Sequence, residues 1–539
     1  MPTSSPTARD TRPTLDLAQL EVRLGARQLR LDAPCLLQAG SLYLIVGRSG
    51  SGKSSFARAL LGFGELSDPA ILCRGNVSVT DAQGSAHVLW REHEFDPAAR
   101  SEIAFLPQAE RLGFLDGLSL TDNLLLFSHL PPDQADESIA RLAEDFHISP
   151  LPPALASASG GERIRLSAIR GLLPRDAAGN RPAVVIADEP TAGLDPQSAA
   201  SMVQSLMDLA AGAQSIVMVI THEPELFLKD SSANGWMDEN TVQIIECRHN
   251  ADGNGRLDTN VVGRLRLEPA PTKPRPGASL WRRAAQTLTR LGAVALAPLA
   301  FVWGLLGLHR PLVLARQILL DASGIGTQAF SLVGCLLVAG TVSYFIFERM
   351  PKPELVEPLL LPETLAVTGH ALVRVVLPLG ACSLVTAKLG AAQAARLAAT
   401  VRGGLLETLA LAGWRVEAYA LVPAVIAQIL AMALATVLAL CAGVVLAAIV
   451  YVSGHDGASL PLAINLMVDG LETAPHWLEY VVAKVVLSGF LGGTIAALYG
   501  IAPARAEDDV ARAVHRTLLW SVLAVIACQC GLVLAEFAP

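Results

Sequence analysis

The residues Gly47-Arg48-Ser49-Gly50-Ser51-Gly52-Lys53-Ser54 match G-x-x-x-x-G-K-[ST] directly after the apolar run Leu42-Tyr43-Leu44-Ile45-Val46. An apolar strand that turns through glycines into a helix points to an α/β fold with a parallel sheet, where strand ends open onto ligand. Glycine backbone amides can curl around phosphate, and the start of the following helix favours the same anion. Lys53 reaches the β- and γ-phosphates as a point charge and Ser54 offers a hydroxyl to Mg²⁺, with Gly47, Ser49, Gly50, Gly52 and Ser55 completing the cradle.

A second apolar run, Val184-Val185-Ile186-Ala187, ends in Asp188-Glu189-Pro190. Adjacent side chains on a strand point opposite ways, so two carboxylates at one strand end take different tasks. Asp188 is expected in the Mg²⁺ shell and Glu189 beside an attacking water that it polarises. An Asp-Glu strand end alone is as readily a solvated turn, and it gains weight from the phosphate loop upstream.

With both motifs in hand, residues 15–247 resemble an ABC transporter nucleotide-binding domain, and Ala158-Ser159-Gly160-Gly161-Glu162 stands for that family's L-S-G-G-Q signature. The resemblance implies ATP and Mg²⁺ as cofactors, and Ser159, Gly160 and Gly161 as the group that meets the nucleotide of a second subunit. It also implies that Gln108, in Phe105-Leu106-Pro107-Gln108, contacts Mg²⁺ and senses the membrane part. Asp195, in Gly193-Leu194-Asp195, would lie at the dimer seam, and His222, in Ile220-Thr221-His222, would contact the γ-phosphate. Glu189, His222 and Gln108 are then the catalytic set. Taken singly, Gln108, Asp195 and His222 read as ordinary solvated or structural side chains, and their order and spacing carry them.

Two departures touch the signature: Ala158 replaces the leading Leu and Glu162 the closing Gln. Both spare the small Ser159-Gly160-Gly161 centre, so hydrolysis is expected to survive. The family's adenine-stacking aromatic would fall near Leu24-Gly25, where none exists, removing about 1 kcal/mol of base stacking. One set of motifs cannot close a site whose signature loop serves the other subunit, so a two-fold homodimer is expected, with a different ATPase subunit as the alternative partner.

The chain is 52% hydrophobic and only 17% charged, and nearly all its long apolar runs fall after residue 286. That asymmetry separates an α/β ATPase part from an all-α polytopic membrane part. A net charge of −8 with no basic, aromatic-interleaved patch argues against nucleic acid as a partner. Residues 1–14 read as a flexible, Pro-rich N-terminus without a secretory signal, which keeps the ATPase part in the cytoplasm. Eight cysteines are scattered through both parts and predict neither a metal site nor disulfides. Residues 248–280 read as a linker, from Asp-Gly-Asn-Gly to Pro-Ala-Pro-Thr-Lys-Pro-Arg-Pro. Within it Asn250, Asp252, Asn254, Gly255 and Asp258 imitate a calcium loop, but Val261 stands where the closing acid belongs. Lys273, Arg275, Arg282, Arg283 and Arg290 obey the positive-inside rule, attraction to anionic lipid being the second reading.

Residues 281–539 parse into a leading segment near 282–308 and five spans near 318–347, 364–387, 417–451, 477–503 and 513–536. Lys388, Arg396, Arg402 and Arg415 fall in one connection and Arg505, Arg512 and Arg516 in another, whereas 452–478 contains no Lys or Arg. The C-terminus is therefore expected outside, and the leading segment either crosses or dips as an interfacial, re-entrant helix.

This half resembles the MlaE/YrbE permease family, which moves lipids between bacterial membranes. The family's A-G-R-x-G-S-A-x-x-A-E-[LI]-G run is matched by Thr386-Ala387-Lys388-Leu389-Gly390-Ala391-Ala392-Gln393-Ala394-Ala395-Arg396-Leu397-Ala398. Its D-A-L-x-x-M-G segment is echoed by Glu407-Thr408-Leu409-Ala410-Leu411-Ala412-Gly413, and Ala511-Arg512-Ala513-Val514-His515-Arg516-Thr517 is similar to its A-T-T-R-x-V-V helix start. Two acids are missing: Val375 follows Arg374 where the family has R-E-L-G-P, and Arg396 replaces a Glu. A helix over 390–414 is expected on the cytoplasmic face, docked near Gln108 with Glu407 and Arg402 towards the ATPase.

The resemblance implies an ATP-driven half-transporter for phospholipid or a similar lipophilic substrate at the bacterial inner membrane. Its expected partners are a second copy, membrane lipids and a periplasmic lipid-carrier or MCE-type protein. The alternatives are a mechanical transmitter that drives a periplasmic partner without carrying substrate, and an exporter of amphipathic drugs or peptides.

Overall fold

The computed structural model describes residues 12–24, 27–63, 71–108, 112–115, 118–128, 130–148, 150–174, 179–233, 242–249, 261–269, 278–307, 311–348, 353–455, 458–472, 476–502 and 507–537. The calcium-like run 250–258, Gly25, Lys273, Arg275 and Arg505 lie outside the described residues, as does the N-terminal stretch 1–11. Two compact units are present: Met1–Ser279 together with Gly403–Gly413, and Leu280–Arg402 together with Trp414–Pro539.

The first unit is built on β1 (Thr14–Leu24), β2 (Arg27–Leu31), β3 (Cys35–Gln38), β4 (Leu42–Gly47), β5 (Ile71–Thr80) and β6 (Ala86–Glu92). It continues through β7 (Glu94–Phe95), β8 (Ile103–Leu106), β9 (Val184–Asp188), β10 (Ile216–Ile220), β11 (Val242–His249) and β12 (Val261–Pro269). The order is β7-β6-β5-β1-β2-β12-β11-β4-β10-β9-β8, with β3 on β1. The strands β11, β4, β10, β9 and β8 run parallel. Every residue of β9 and β10 is buried, as expected of unbroken Val/Ile/Met runs in a parallel sheet covered on both faces. Its helices are α1 (Lys53–Leu60), α2 (Leu120–Leu124), α3 (Pro132–Asp145), α4 (Gly160–Leu172), α5 (Pro196–Ala211) and α6 (Pro224–Ala233).

The stretch expected to be linker, 248–280, is not all linker. Val261–Pro269 forms β12, parallel to β11 and antiparallel to β2. Arg264-Leu265-Arg266-Leu267-Glu268 alternates charged with apolar residues, a period-two signal that the surrounding Pro and Gly obscure.

Register decides where function sits. Ile220 pairs with Ile45 on one side and Asp188 on the other, so the ends of β4, β9 and β10 share one edge. Leu106 pairs with Ala187, which brings the chain after β8 to the same edge.

The second unit is helical: α7 (Ala278–Leu306, entering the unit at Leu280), α8 (Pro311–Ala322), α9 (Ile325–Glu348), α10 (Pro353–Ala371), α11 (Leu377–Val385) and α12 (Ala391–Arg402). After α13 (Leu405–Leu411), which belongs to the first unit, come α14 (Val422–Gly454), α15 (Leu460–Glu472), α16 (Trp477–Gly500) and α17 (Glu507–Glu536). Among the described residues, five helical stretches are long and apolar enough to cross a membrane: Gln317–Glu348, Pro362–Arg402, Glu417–Gly454, Trp477–Gly500 and Asp508–Glu536. The second is longer than expected because π-turns at Leu372–Val376 and Thr386–Gly390 carry the helix on to Arg402. The apolar end of α7, Gly292–Leu306, falls short of a span, and α15 occupies the expected 452–478 loop with an apolar run too short to cross. Helices α14 and α16 touch backbone to backbone, since a Cβ at Gly493 would lie 2.5 Å from Val425 Cα.

Candidate functional site

The shared strand edge gathers five side chains. Lys53 Nζ donates to the carbonyls of Gly47 at 2.7 Å and Arg48 at 3.2 Å, and lies 3.5 Å from His222 Nδ1. His222 Nε2 stands 3.0 Å from Glu189 Oε1, and the Ser54 hydroxyl donates to Asp188 Oδ1 at 2.9 Å. Burial pulls the Lys53 ammonium below the usual lysine range, opposed by the charges of Cys247, Glu189 and Asp188. Burial pushes the Glu189 carboxyl up; His222 opposes the rise and Asp188 adds to it. Glu189 sits at φ +54°, a left-handed backbone rare outside Gly, fixed by its N–H donating to Ile220 O at 2.9 Å.

The cradle fits phosphate. Helix α1 starts after Gly52 at φ +95° with no side chain capping its first amides, and a Cβ placed on Gly50 would meet nothing within 4 Å. Open, uncapped N–H groups at a helix start are what an anion satisfies. The Ser54 hydroxyl beside the Asp188 carboxylate supplies the hard oxygen donors that suit Mg²⁺. Ser49 is exposed in the loop, Ser55 is half-buried in the first turn of α1, and Gln108 is exposed just past β8.

The signature residues stand apart from this cluster. Ser159 caps α4: its Oγ accepts from Glu162 N at 3.3 Å, and its own N–H donates to Glu162 Oε2 at 2.7 Å. This is a capping box, which Glu closes as well as Gln, so the Glu162 departure costs the helix start nothing. Ser159 and Gly160 are exposed, and a Cβ on Gly160 would meet nothing within 4 Å. Asp195, also exposed, caps α5 by accepting from Gln197 N at 3.1 Å and Ser198 N at 3.0 Å. Among the described residues, no hydrogen bond or ion pair joins Ser159, Gly160, Gly161 or Asp195 to the Lys53–His222 cluster.

The segment Gly403–Gly413 packs with the first unit. The single helix expected over 390–414 is two, because Gly404 takes φ +93° and separates α12 from α13. Helix α13 borders a groove lined by Arg58, Phe105, Pro107 and Arg170. Glu407 lies 4.0 Å from Arg58 Nη2, and Gly113 N–H donates to Gly403 O at 2.9 Å. Arg170 carries no motif of its own in the sequence, its signal being only that it is the one charged residue in Leu166-Ser167-Ala168-Ile169-Arg170-Gly171-Leu172-Leu173.

In the second unit, an acid missing from position 375 is supplied from elsewhere. Arg374 Nε donates to Glu536 Oε1 at 2.6 Å, and Lys484, fully buried, pairs with Glu536 Oε2. Lys484 Nζ also donates to Arg374 O at 2.7 Å, within the π-turn. Arg396 likewise finds its acid in Asp321, through Nη1 at 2.8 Å and Nη2 at 2.5 Å.

A phosphate loop, a strand-end acid pair and a histidine on one edge of a parallel sheet define a P-loop ATPase, here joined to a helical part with five candidate spans. Comparison with known proteins narrows the class: residues 32–192 match the ABC transporter family model and residues 323–535 the Permease MlaE model. The chain belongs to the ABC transporter family, as an ATPase domain fused to an MlaE permease domain, and couples ATP hydrolysis to transport. It is 28% identical to the bacitracin export ATP-binding protein BceA of Halalkalibacterium halodurans, over 35% of this chain and 69% of the relative. It is 29% identical to the lipoprotein-releasing ATP-binding protein LolD of Idiomarina loihiensis, over 36% and 80%. It is 32% identical to the phosphonates import ATP-binding protein PhnC of Rhodopseudomonas palustris, over 35% and 67%.

Proposed function

We propose that two copies of this chain form one transporter that moves phospholipid, or a similar lipophilic substrate, at the bacterial inner membrane. The observation that carries the cargo reading is the match of residues 323–535 to an MlaE permease. LolD, named for a lipoprotein-releasing system, is among the relatives on the ATPase side.

In this reading Gly47, Ser49, Gly50, Gly52, Lys53, Ser54 and Ser55 hold the phosphates, and Ser54, Asp188 and Gln108 hold Mg²⁺. Bound Mg²⁺ would neutralise charge on the phosphate oxygens. Glu189 orients and polarises the attacking water through its carboxylate, and His222, 3.0 Å away, fixes that carboxylate and reaches the γ-phosphate. Ser159, Gly160 and Gly161 of one copy close over the nucleotide of the other, with Asp195 at the seam. Closure draws α13 with it and rocks the spans. The packing of Gly403–Gly413 with the ATPase unit supports an inward-facing connection there. A periplasmic lipid carrier is the partner that would deliver or receive cargo.

The test is transfer of labelled phospholipid from proteoliposomes, with Lys53→Ala and Glu189→Gln as controls. Transfer that needs both residues supports the reading. Transfer indifferent to them removes ATP-driven transport, and ATP-gated shape change with no retained lipid favours the mechanical transmitter.

A further inference from the structure

Arg170 is 2% exposed, yet no carboxylate pairs with it among the described residues. Its guanidinium is held by carbonyls and ring faces. Nη1 donates to Gly113 O at 3.1 Å, and Nη2 to Leu112 O at 2.5 Å and to Ser167 Oγ at 3.5 Å. The group lies over Phe114 at 4.6 Å and Phe127 at 5.0 Å. Burial pulls it down to about 9, which leaves it charged at neutral pH. Burying a charge without a counter-ion is costly, and an apolar side chain would fill the same space more cheaply. The fork therefore has a task that packing does not explain.

Gly113 shows what the task is. Its C=O is taken by Arg170, and its N–H donates to Gly403 O at 2.9 Å. It takes φ +59°, and a Cβ there would fall on Thr408 Oγ1 and 3.1 Å from Gly403's neighbour, Gly404 O. The Leu112–Gly113 peptide is thus gripped through its C=O by Arg170 of α4 and through its N–H by Gly403, in the segment that leads into α13. Helix α4 carries Ser159 at its other end, about 16 Å along the axis at 1.5 Å per residue.

We propose that Arg170 is a positioning residue that locks the signature loop to α13, so that Ser159–Gly161 and Leu405–Leu411 move as one piece through Gly113. The planar fork reaches the two carbonyls through separate nitrogens while lying over Phe114 and Phe127, whereas a lysine ammonium would present its donors from one point and lose the planar contact with both rings. The inference rests on the reading that closure over nucleotide drives the membrane part, and it does not depend on what is carried.

The experiment is a double-mutant cycle on the full chain in lipid nanodiscs, with Arg170→Lys, Thr408→Ala and both together. Turnover is expressed per bound nucleotide, so that a misfolded fraction does not count. Each single variant is expected to lose about tenfold in kcat with the KM for ATP unchanged, and the double variant to be no worse than the weaker single within about twofold. Multiplying losses, or an Arg170→Lys enzyme with normal turnover, overturns the proposal. If Arg170→Lys does not fold, Gly113→Ala with and without Thr408→Gly asks the same question. Recovery of at least part of the lost turnover in the pair supports the lock, and no recovery overturns it. A wild-type chain that hydrolyses ATP but transfers no labelled lipid would remove the cargo reading alone.

Discussion

In the proposed function Glu189 is the residue on which the chemistry turns, and burial, a strained backbone and the His222 contact meet at that one residue. Glu189→Gln is expected to bind nucleotide normally and to lose about 10²–10⁴-fold in kcat, as removal of a general base does. ATP binding and turnover measured on the same preparation check it. The raised pKa also sets the pH profile. The working form is the carboxylate, so the acid limb of kcat should lie above the pH at which an ordinary glutamate titrates, and it should be absent from whatever residual rate Glu189→Gln retains. These residues were legible because each motif falls at a strand or helix end whose geometry is local: Gly47–Ser54 after β4, Asp188-Glu189 at the end of β9. Arg170 was not legible, since its meaning lies in Leu112 and Gly113, more than fifty residues away, and in no local pattern.

At the scale of elements, the helix pattern was read more surely than its interruptions. The five spans stand out in the sequence as apolar runs, whereas the break at Gly403-Gly404 is masked by the Ala- and Leu-rich sequence that continues on both sides. The break frees α13 to sit against the ATPase unit with Glu407 beside Arg58. Charge reversal at Glu407 to Lys should reduce turnover several-fold, about 1 kcal/mol for a partly screened pair, and Arg58→Glu in the same chain should return most of it. The membrane unit hides a second element-scale dependence, in which the last residues of α17 are tied by Glu536 to Lys484 and Arg374. Sequence motifs could register only that an acid was missing after Arg374, because its replacement comes from the far end of the chain. Glu536→Gln leaves two buried cations without their acid, and a loss of about 3–5 kcal/mol is expected, read as a lowered Tm in detergent. An unchanged Tm would mean the three groups are not coupled.

For the whole molecule, the exposed signature loop is the decisive fact. Ser159 bonds to its own helix start through Glu162, Gly160 stays exposed beside it, and among the described residues no hydrogen bond joins either to the Lys53 cluster. In the proposed function a single chain carries both halves of a site without joining them, and a two-fold pair would join them twice. This yields a test that mass measurement alone does not. A chain with Lys53→Ala lacks the phosphate hold in its own cradle but keeps a sound signature; a chain with Ser159→Arg has the reverse defect. Dimers of either variant alone contain two broken sites. A mixed dimer contains one site with both defects and one with neither, because the intact Lys53 faces the intact Ser159 across the seam. Equal coexpression places roughly half the dimers in the mixed state, each with one sound site of two, so ATPase activity should return to roughly a quarter of wild type if the sites fire independently. Separately purified variants, combined after assembly and assayed before exchange, should stay inactive. A mixture that remains inactive after full exchange would mean that each signature serves its own phosphate loop or that a different ATPase subunit completes the site.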